Sequence, residues 1–301
     1  MRLATIRLGK KPGSPEKEVA GIVTSYGIVP LERINEKLSA SWETDLHAMI
    51  CKNRIPALTK WHKEGGGKWL ESLQDAAIPF PAVRYAPLYR HPKKIFGIGL
   101  NYADHAGDLA EKTPQGIPAS FFKPETAIIG HGDEIKIPLQ SQKTTGEAEF
   151  GVIIGRECEN IEQKDWLSYV AGFTTIIDMT AEDILRLNPR YLTHVKSFET
   201  FFSFGPQLVT PDEFSDIAQL NVQTVLNGQV TAENVIANMT FPPDFLVAFH
   251  SRVFKWQPGD ILSTGTPRAV HIQHGDTVEC RIDGFAPLVN PVTDKKTARD
   301  F

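Results

Sequence analysis

From residue 92 onward the chain is written in short runs rich in β-branched residues, and that texture restricts the fold more than any other feature. "KIFGIGLNY", "TAIIGHGDEIKI", "FGVIIG", "LNVQTVLNGQVTAENV" and "DTVECRID" each carry the two-residue alternation or the apolar run of a strand. Asn227-Gly228 separates two such runs, as a tight hairpin requires. Helical patterns are shorter and fewer, at 102–110, 163–167, 181–187 and 245–250. Strands in runs with helices interspersed predict a mixed α+β fold, not a doubly wound sheet.

Before residue 90 the texture differs. "MRLATIRLG" and "EVAGIVTSYGIVPL" read as strands, and "WETDLHAMICKNRIPALTKWHKEGGG" as helix ended by glycine. The proline-rich stretch 78–94, "IPFPAVRYAPLYRHPKK", reads as an extended connection. The expected organisation is a small N-terminal α+β domain over 1–90 and a larger domain over 91–301, for which 301 residues suffice.

Composition excludes several classes. A net charge of −4 without a Lys/Arg block argues against nucleic acid as partner. No apolar run approaches the roughly 20 residues of a membrane-spanning helix, and no apolar stretch follows the basic start. Cys51, Cys158 and Cys280 lie far apart with no CxxC, which fits a reducing cytoplasm and argues against both a disulfide framework and a cysteine-based zinc site. "FGIG" lacks the third glycine and the following helix of a dinucleotide fingerprint.

The chemistry-bearing residues begin at "TTGEAEFGVIIG". Residues two apart on a strand share a face, so the Glu147 and Glu149 carboxylates stand roughly 6–7 Å apart. Their repulsion is on the order of 3 kcal/mol. Either water screens them on an exposed edge, or a cation lies between them. Asp178 ends the apolar run in "AGFTTIIDMTAED", where a buried carboxylate needs a partner. Three oxygen donors without histidine or thiolate suit Mg²⁺, Mn²⁺ or Ca²⁺ better than zinc. In "GLNYADHAGDLA", Asp108 follows His105 by three positions, the spacing of a base and the acid that orients it. Lys123 and Lys196 stand beside aromatic residues, as snorkelling lysines also do. "GDILSTGTPRAV" is a strand followed by a Gly-Thr-Pro turn that could hold a carboxylate on backbone N–H groups, or be a plain turn.

Taken in order, "GLNYADHAGD", "FFKPETAIIGHGDEI", "GEAEFGVIIG", "GFTTIIDMTAED", "VKSFETFFSFGP", "LNGQV" and "PGDILSTGTPRAV…GDTVECRIDGFAPLVNPV" resemble the fumarylacetoacetate hydrolase family, from about residue 92 to 292. The resemblance implies a catalytic domain of rolled, packed mixed β-sheets, a homodimer, and a divalent metal in the cleft. It implies Glu147, Glu149 and Asp178 as metal ligands, Mg²⁺ first among the ions. His105 would be the general base with Asp108 as its partner, and Lys196 would face developing enolate charge. Lys123, Gly265 and Thr266 would bind substrate. The implied activity is metal-dependent chemistry on 2-oxo or 2,4-dioxo acids. The favoured form is hydrolytic C–C cleavage of an acylpyruvate-type acid through a metal-stabilised enolate. Decarboxylation of an oxaloacetate-like acid or isomerisation of a dioxo acid is the alternative.

Five positions depart from the family's pattern. Asp108 stands where Glu is common, Glu182 where the motif "TARD" has arginine, and Ala269 and His271 replace glycines of "TGTPxGVG"; Leu185 also stands where glutamine is frequent. They leave open a metal-binding member with weak or lost catalysis.

Overall fold

The computed structural model describes residues 1–9, 16–102 and 116–297. The chain opens with three strands, β1 (Arg2–Leu8), β2 (Lys17–Val23) and β3 (Gly27–Pro30). Four short helices follow: α1 (Leu31–Leu38), α2 (Leu46–Cys51), α3 (Ile55–Trp61) and α4 (Gly67–Glu71). The stretch that reads as one helix ending in glycine is therefore divided. Asn53 adopts a left-handed φ of 53° after α2, and Pro56 sits in the first turn of α3, where its missing N–H costs nothing. Asp45 caps α2 by accepting from the Ala48 N–H at 2.6 Å.

Strands then dominate, as expected. They are β4 (Ile78–Pro79), β5 (Ile95–Gly99), β6 (Ala119–Lys123), β7 (Ile128–Ile129), β8 (Ile135–Ile137), β9 (Thr144–Ile154), β10 (Val170–Ala181), β11 (Phe202–Val209), β12 (Asn221–Leu226), β13 (Gln229–Val235), β14 (Ile261–Ser263), β15 (Val270–Ile272), β16 (Thr277–Ile282) and β17 (Leu288–Asp294). Helices α5 (Glu182–Leu187), α6 (Leu192–Lys196) and α7 (Pro243–Ser251) interrupt them. Asn227 and Gly228, at φ 52° and 82°, make the β12–β13 hairpin at the expected dipeptide.

A 12-stranded sheet runs β4-β3-β2-β1-β11-β10-β9-β14-β5-β6, with β15 on β9 and β7 on β11. A five-stranded sheet runs β13-β12-β16-β17-β8. Pairing is mixed: β5–β14, β7–β11 and β8–β17 are parallel, whereas the central β9, β10 and β11 are antiparallel. The architecture is thus α+β with packed mixed sheets, as the resemblance implied.

Long strands β9 and β10 sit between two cores and are buried along almost their whole lengths. Ala148, Phe150 and Val152 of β9, with Ile177 and Met179 of β10, pack against Val222, Val278, Cys280 and Ile282 of the smaller sheet. On the opposite face Ile153 and Ile176 join Phe202, Phe204 and Leu208 of β11, and α1–α4 close this core with Leu31, Met49, Leu58 and Leu70. Each of the larger apolar side chains among them contributes about 1.5–3 kcal/mol of burial, which holds the two strands in a single register. No helix among the described residues is long and apolar enough to cross a membrane, and all three cysteines are free.

Candidate metal centre

The β9–β10 register brings the acids together. Asp178 pairs directly with Glu147, and Ile176 with Glu149, so all three carboxylates project from one face. Oxygen atoms of Glu147, Glu149 and Asp178 lie within 4.8 Å of one another, and all three residues are buried. An exposed, water-screened edge is ruled out for Glu147 and Glu149.

Two lysines face the cluster. Lys196, on the last turn of α6, places Nζ 2.5 Å from Asp178 Oδ2 and 3.1 Å from Glu147 Oε2, and donates to Thr180 Oγ1 at 2.8 Å. Lys123, at the end of β6, donates to Asp178 Oδ1 and, at 3.2 Å, to the Met179 carbonyl. Threonines complete Glu147: the hydroxyls of Thr145 and Thr180 donate to Oε1 at 2.9 and 2.6 Å. Ser263 Oγ donates to Glu149 Oε2, and the Gly265 N–H donates to the same oxygen at 2.8 Å.

The lysines respond differently to similar burial. Burial lowers the Lys196 ammonium, but Asp178, Glu147 and Glu149 outweigh it and raise its pKa well above the ordinary lysine range. Lys123 is lowered to about 8, by burial first, with Asp178 opposing and the positive Lys196 adding to the fall. Among the described residues, three carboxylates here face two ammonium groups. The Glu149 carboxyl is raised to about 8, by burial first and then by Asp178, which favours holding a proton there. A divalent cation among these oxygens would take the place of that proton. The residues fit a hard divalent ion, in donor type, in separation and in charge.

The cluster opens on a cavity of about 380 Å³. Glu147, Glu149, Lys196 and Thr266 line it, together with Phe121, Leu185, Arg190 and Leu192. Thr266 donates its hydroxyl to the Arg268 carbonyl at 3.1 Å. Gly265, at φ +95°, sits where a Cβ would come within 2.9 Å of Asn101 Cβ. Asn101, absent from the residues singled out in the sequence, binds this turn: its Nδ2 donates to the carbonyls of Thr264 at 2.7 Å and Phe241 at 3.0 Å, and its Oδ1 accepts the Phe241 N–H at 2.9 Å. Thr145 and Thr180 were missed too, although each stands two residues from a cluster acid and so shares its face. Ser263 and Asn101 had no such local signal. His105 and Asp108 lie outside the described residues.

Of the departures, Glu182, Leu185 and Ala269 line the cavity, whereas His271 is exposed on β15. Glu182 is ion-paired with Lys143 at 3.0 Å and with Arg186 at 2.5 Å. Burial alone would raise the Glu182 pKa, but hydrogen bonds from Arg186 and Lys143 win and lower it.

Fold and site together define a protein of packed mixed sheets built around a buried three-carboxylate cluster that could hold a cation. The family described as "Fumarylacetoacetate (FAA) hydrolase C-terminal" matches residues 94–293, and the chain belongs to this family, whose members include enzymes of several reaction types. The mitochondrial oxaloacetate tautomerase Fahd2a of Rattus norvegicus is 34% identical over 223 residues, covering 71% of each chain. A 5-carboxymethyl-2-hydroxymuconate delta-isomerase from Mycobacterium smegmatis is 31% identical, with a TM-score of 0.66 over 73% of this chain and 85% of its own. Over 98% of this chain and 100% of the other, a maleylpyruvate hydrolase from Sphingobium sp. SYK-6 has the same fold at a TM-score of 0.74 and 24% identity.

Proposed function

We propose that this chain is a divalent-cation-dependent enzyme that moves a proton at the carbon beside the carbonyl of a 2-oxo acid, as a tautomerase or isomerase does. The observation that carries the reading is the Glu147–Glu149–Asp178 cluster on the wall of a cavity large enough for a small organic acid. The relatives above 30% identity named for oxaloacetate tautomerisation and for isomerisation support it. Held by the three carboxylates, Mg²⁺ (with Mn²⁺ and Ca²⁺ compatible) would supply Lewis-acid polarisation of the 2-oxo carbonyl.

The chain's own residues would do the rest. Lys196 keeps its ammonium charge beside the same oxygens and offsets negative charge that develops as the proton leaves carbon. Thr266, on the cavity wall, would orient the substrate carboxylate. Gly265 acts one step back, through the Glu149 carboxylate that its N–H holds. Lys123 likewise acts through Asp178. His105 would take the proton, with Asp108 orienting the imidazole. A homodimer in the cytoplasm belongs to the same proposal.

Hydrolytic C–C cleavage of an acylpyruvate-type acid is the second reading, favoured by the hydrolase description of the matching family. It adds one requirement, a base that activates water. The test is a pair of assays on Mg²⁺-loaded protein: keto–enol interconversion of oxaloacetate, and cleavage of an acylpyruvate. Faster, chelator-sensitive interconversion is expected. Acylpyruvate cleavage without interconversion would establish the hydrolase instead, and the absence of both would remove the 2-oxo acid reading.

A further inference from the structure

The cavity that holds the acid cluster carries a positive charge with no ion-pair partner among the described residues. Lys196 and Arg190 are the basic residues among its lining, and Lys196 is committed to Asp178 and Glu147. Arg190 forms no ion pair among the described residues. It stands between α5 and α6, where the backbone is held by Asn188: the Asn188 side chain accepts the Arg190 N–H at 3.2 Å, and the Asn188 carbonyl accepts the Tyr191 N–H at 3.0 Å.

Glu182 lines the same cavity and would be the natural partner for Arg190. It is already taken, because Lys143 and Arg186 both bind its carboxylate. The arginine expected at position 182 is thus replaced by a locally neutralised acid, and the free guanidinium on the wall comes from position 190. The lining also includes Leu185, Leu192 and Phe121, which suit methylene groups but offer nothing to a polar tail.

We propose that Arg190 determines specificity by binding a distal carboxylate, so that the preferred ligands are 2-oxo dicarboxylic acids. The inference rests on the 2-oxo acid reading of the site, since it takes the oxo-acid head group at the metal cluster as given. A guanidinium forms paired, charge-assisted hydrogen bonds with a carboxylate, an arrangement that an unbranched monoacid cannot use.

The experiment is calorimetric binding to the Mg²⁺-loaded full chain with matched, non-reacting pairs. The dicarboxylic probes are 2-oxoglutarate and 2-oxoadipate; the controls of equal length are 2-oxopentanoate and 2-oxohexanoate. In the wild type at least one diacid should bind about 10- to 100-fold more tightly than its matched monoacid, the size of one hydrogen-bonded charge contact. Arg190→Gln should erase that preference, and Arg190→Lys should restore part of it. Binding of the monoacids to Arg190→Gln reports that the variant is folded and its metal end intact. A wild type with no diacid preference, or an Arg190→Gln variant that keeps it, overturns the role of Arg190 while leaving the 2-oxo acid reading in place. If the loaded wild type binds none of the four acids, the site reading fails and this inference falls with it.

Discussion

Asp178 lies directly across the β9–β10 ladder from Glu147, and its two oxygens bind two different lysines. Like charges directly opposite each other on a sheet are destabilising. Here Lys196 spans both acids while Lys123 holds the far oxygen of Asp178, so the unliganded site is a buried ion network and not a bare repulsive pair.

The first prediction follows from that sharing. Asp178→Asn removes the charge paired with both Lys123 and Lys196, leaving Lys196 the Glu147 carboxylate and Thr180, and should cost about 3–5 kcal/mol of stability, the range for breaking a buried ion pair. Glu149→Gln removes a group that is already prone to hold a proton, and should cost far less. Both should bind Mg²⁺ much more weakly. Denaturant unfolding and calorimetry measure the two effects separately. Equal stability losses in the two variants would contradict the network.

A pH dependence comes from Glu149. Its value in the folded protein, about 8, lies above the ordinary 4.5, so the fold favours the protonated carboxyl. That contribution is full below the unfolded value and is lost as pH rises through about 8. A divalent cation needs the carboxylate and displaces the proton, so the Tm gain on adding fixed Mg²⁺ should increase across the same window. Thermal scans near pH 6.5 and pH 8.5, with and without the ion, decide the matter. A larger gain at the lower pH refutes it.

Much of this centre is legible in the chain because period two is a local rule. Glu147 and Glu149 share a face whatever else the protein does, and the apolar run ending at Asp178 marks a strand that reaches the interior. The partners of those acids are another matter. Lys123 stands 55 residues before Asp178, and Gly265 stands 116 residues after Glu149. No spacing rule links them; only the sheet order does. The same holds for β1, whose partner β11 lies across two hundred residues of chain, whereas the β12–β13 hairpin declares itself through Asn227-Gly228. Resemblance to a family supplied the long-range pairing of motifs that local physics leaves open.

Glu182 offers a third test. Glu182→Arg, which returns the residue common in the family, would set a cation against Lys143 and Arg186. Both are substantially exposed, so screening limits the cost to about 1–3 kcal/mol. Urea midpoints should fall for Glu182→Arg and less for Glu182→Gln. A Glu182→Arg protein as stable as wild type would show that these ion pairs contribute nothing.

Gly265 can be separated from an ordinary turn glycine. Gly265→Ala meets both a positive φ and Asn101, and it should shift the N–H that grips Glu149, lowering Mg²⁺ affinity as well as stability. Gly275→Ala also has a positive φ, 87°, but its new methyl meets nothing within 4 Å. That variant should lose about 1–2 kcal/mol and keep its metal affinity. Matching metal affinities in the two variants would remove the role given to Gly265.

The pairing of β1 with β11 bears on how the protein can be cut. A fragment beginning where the family match begins, at residue 94, would keep β7 on the Phe202–Ser203 end of β11 but bare its Leu208–Val209 end, and strip Leu3, Ile22 and Val29 from beside Phe202, Phe204 and Leu208. Unpaired N–H and C=O groups next to exposed apolar side chains recruit neighbouring strands. Such a fragment should aggregate during expression although every acid of the metal centre is still present in it. Anyone wishing to study the family-matching part in isolation has to supply the Leu208–Val209 end of β11 with a partner first.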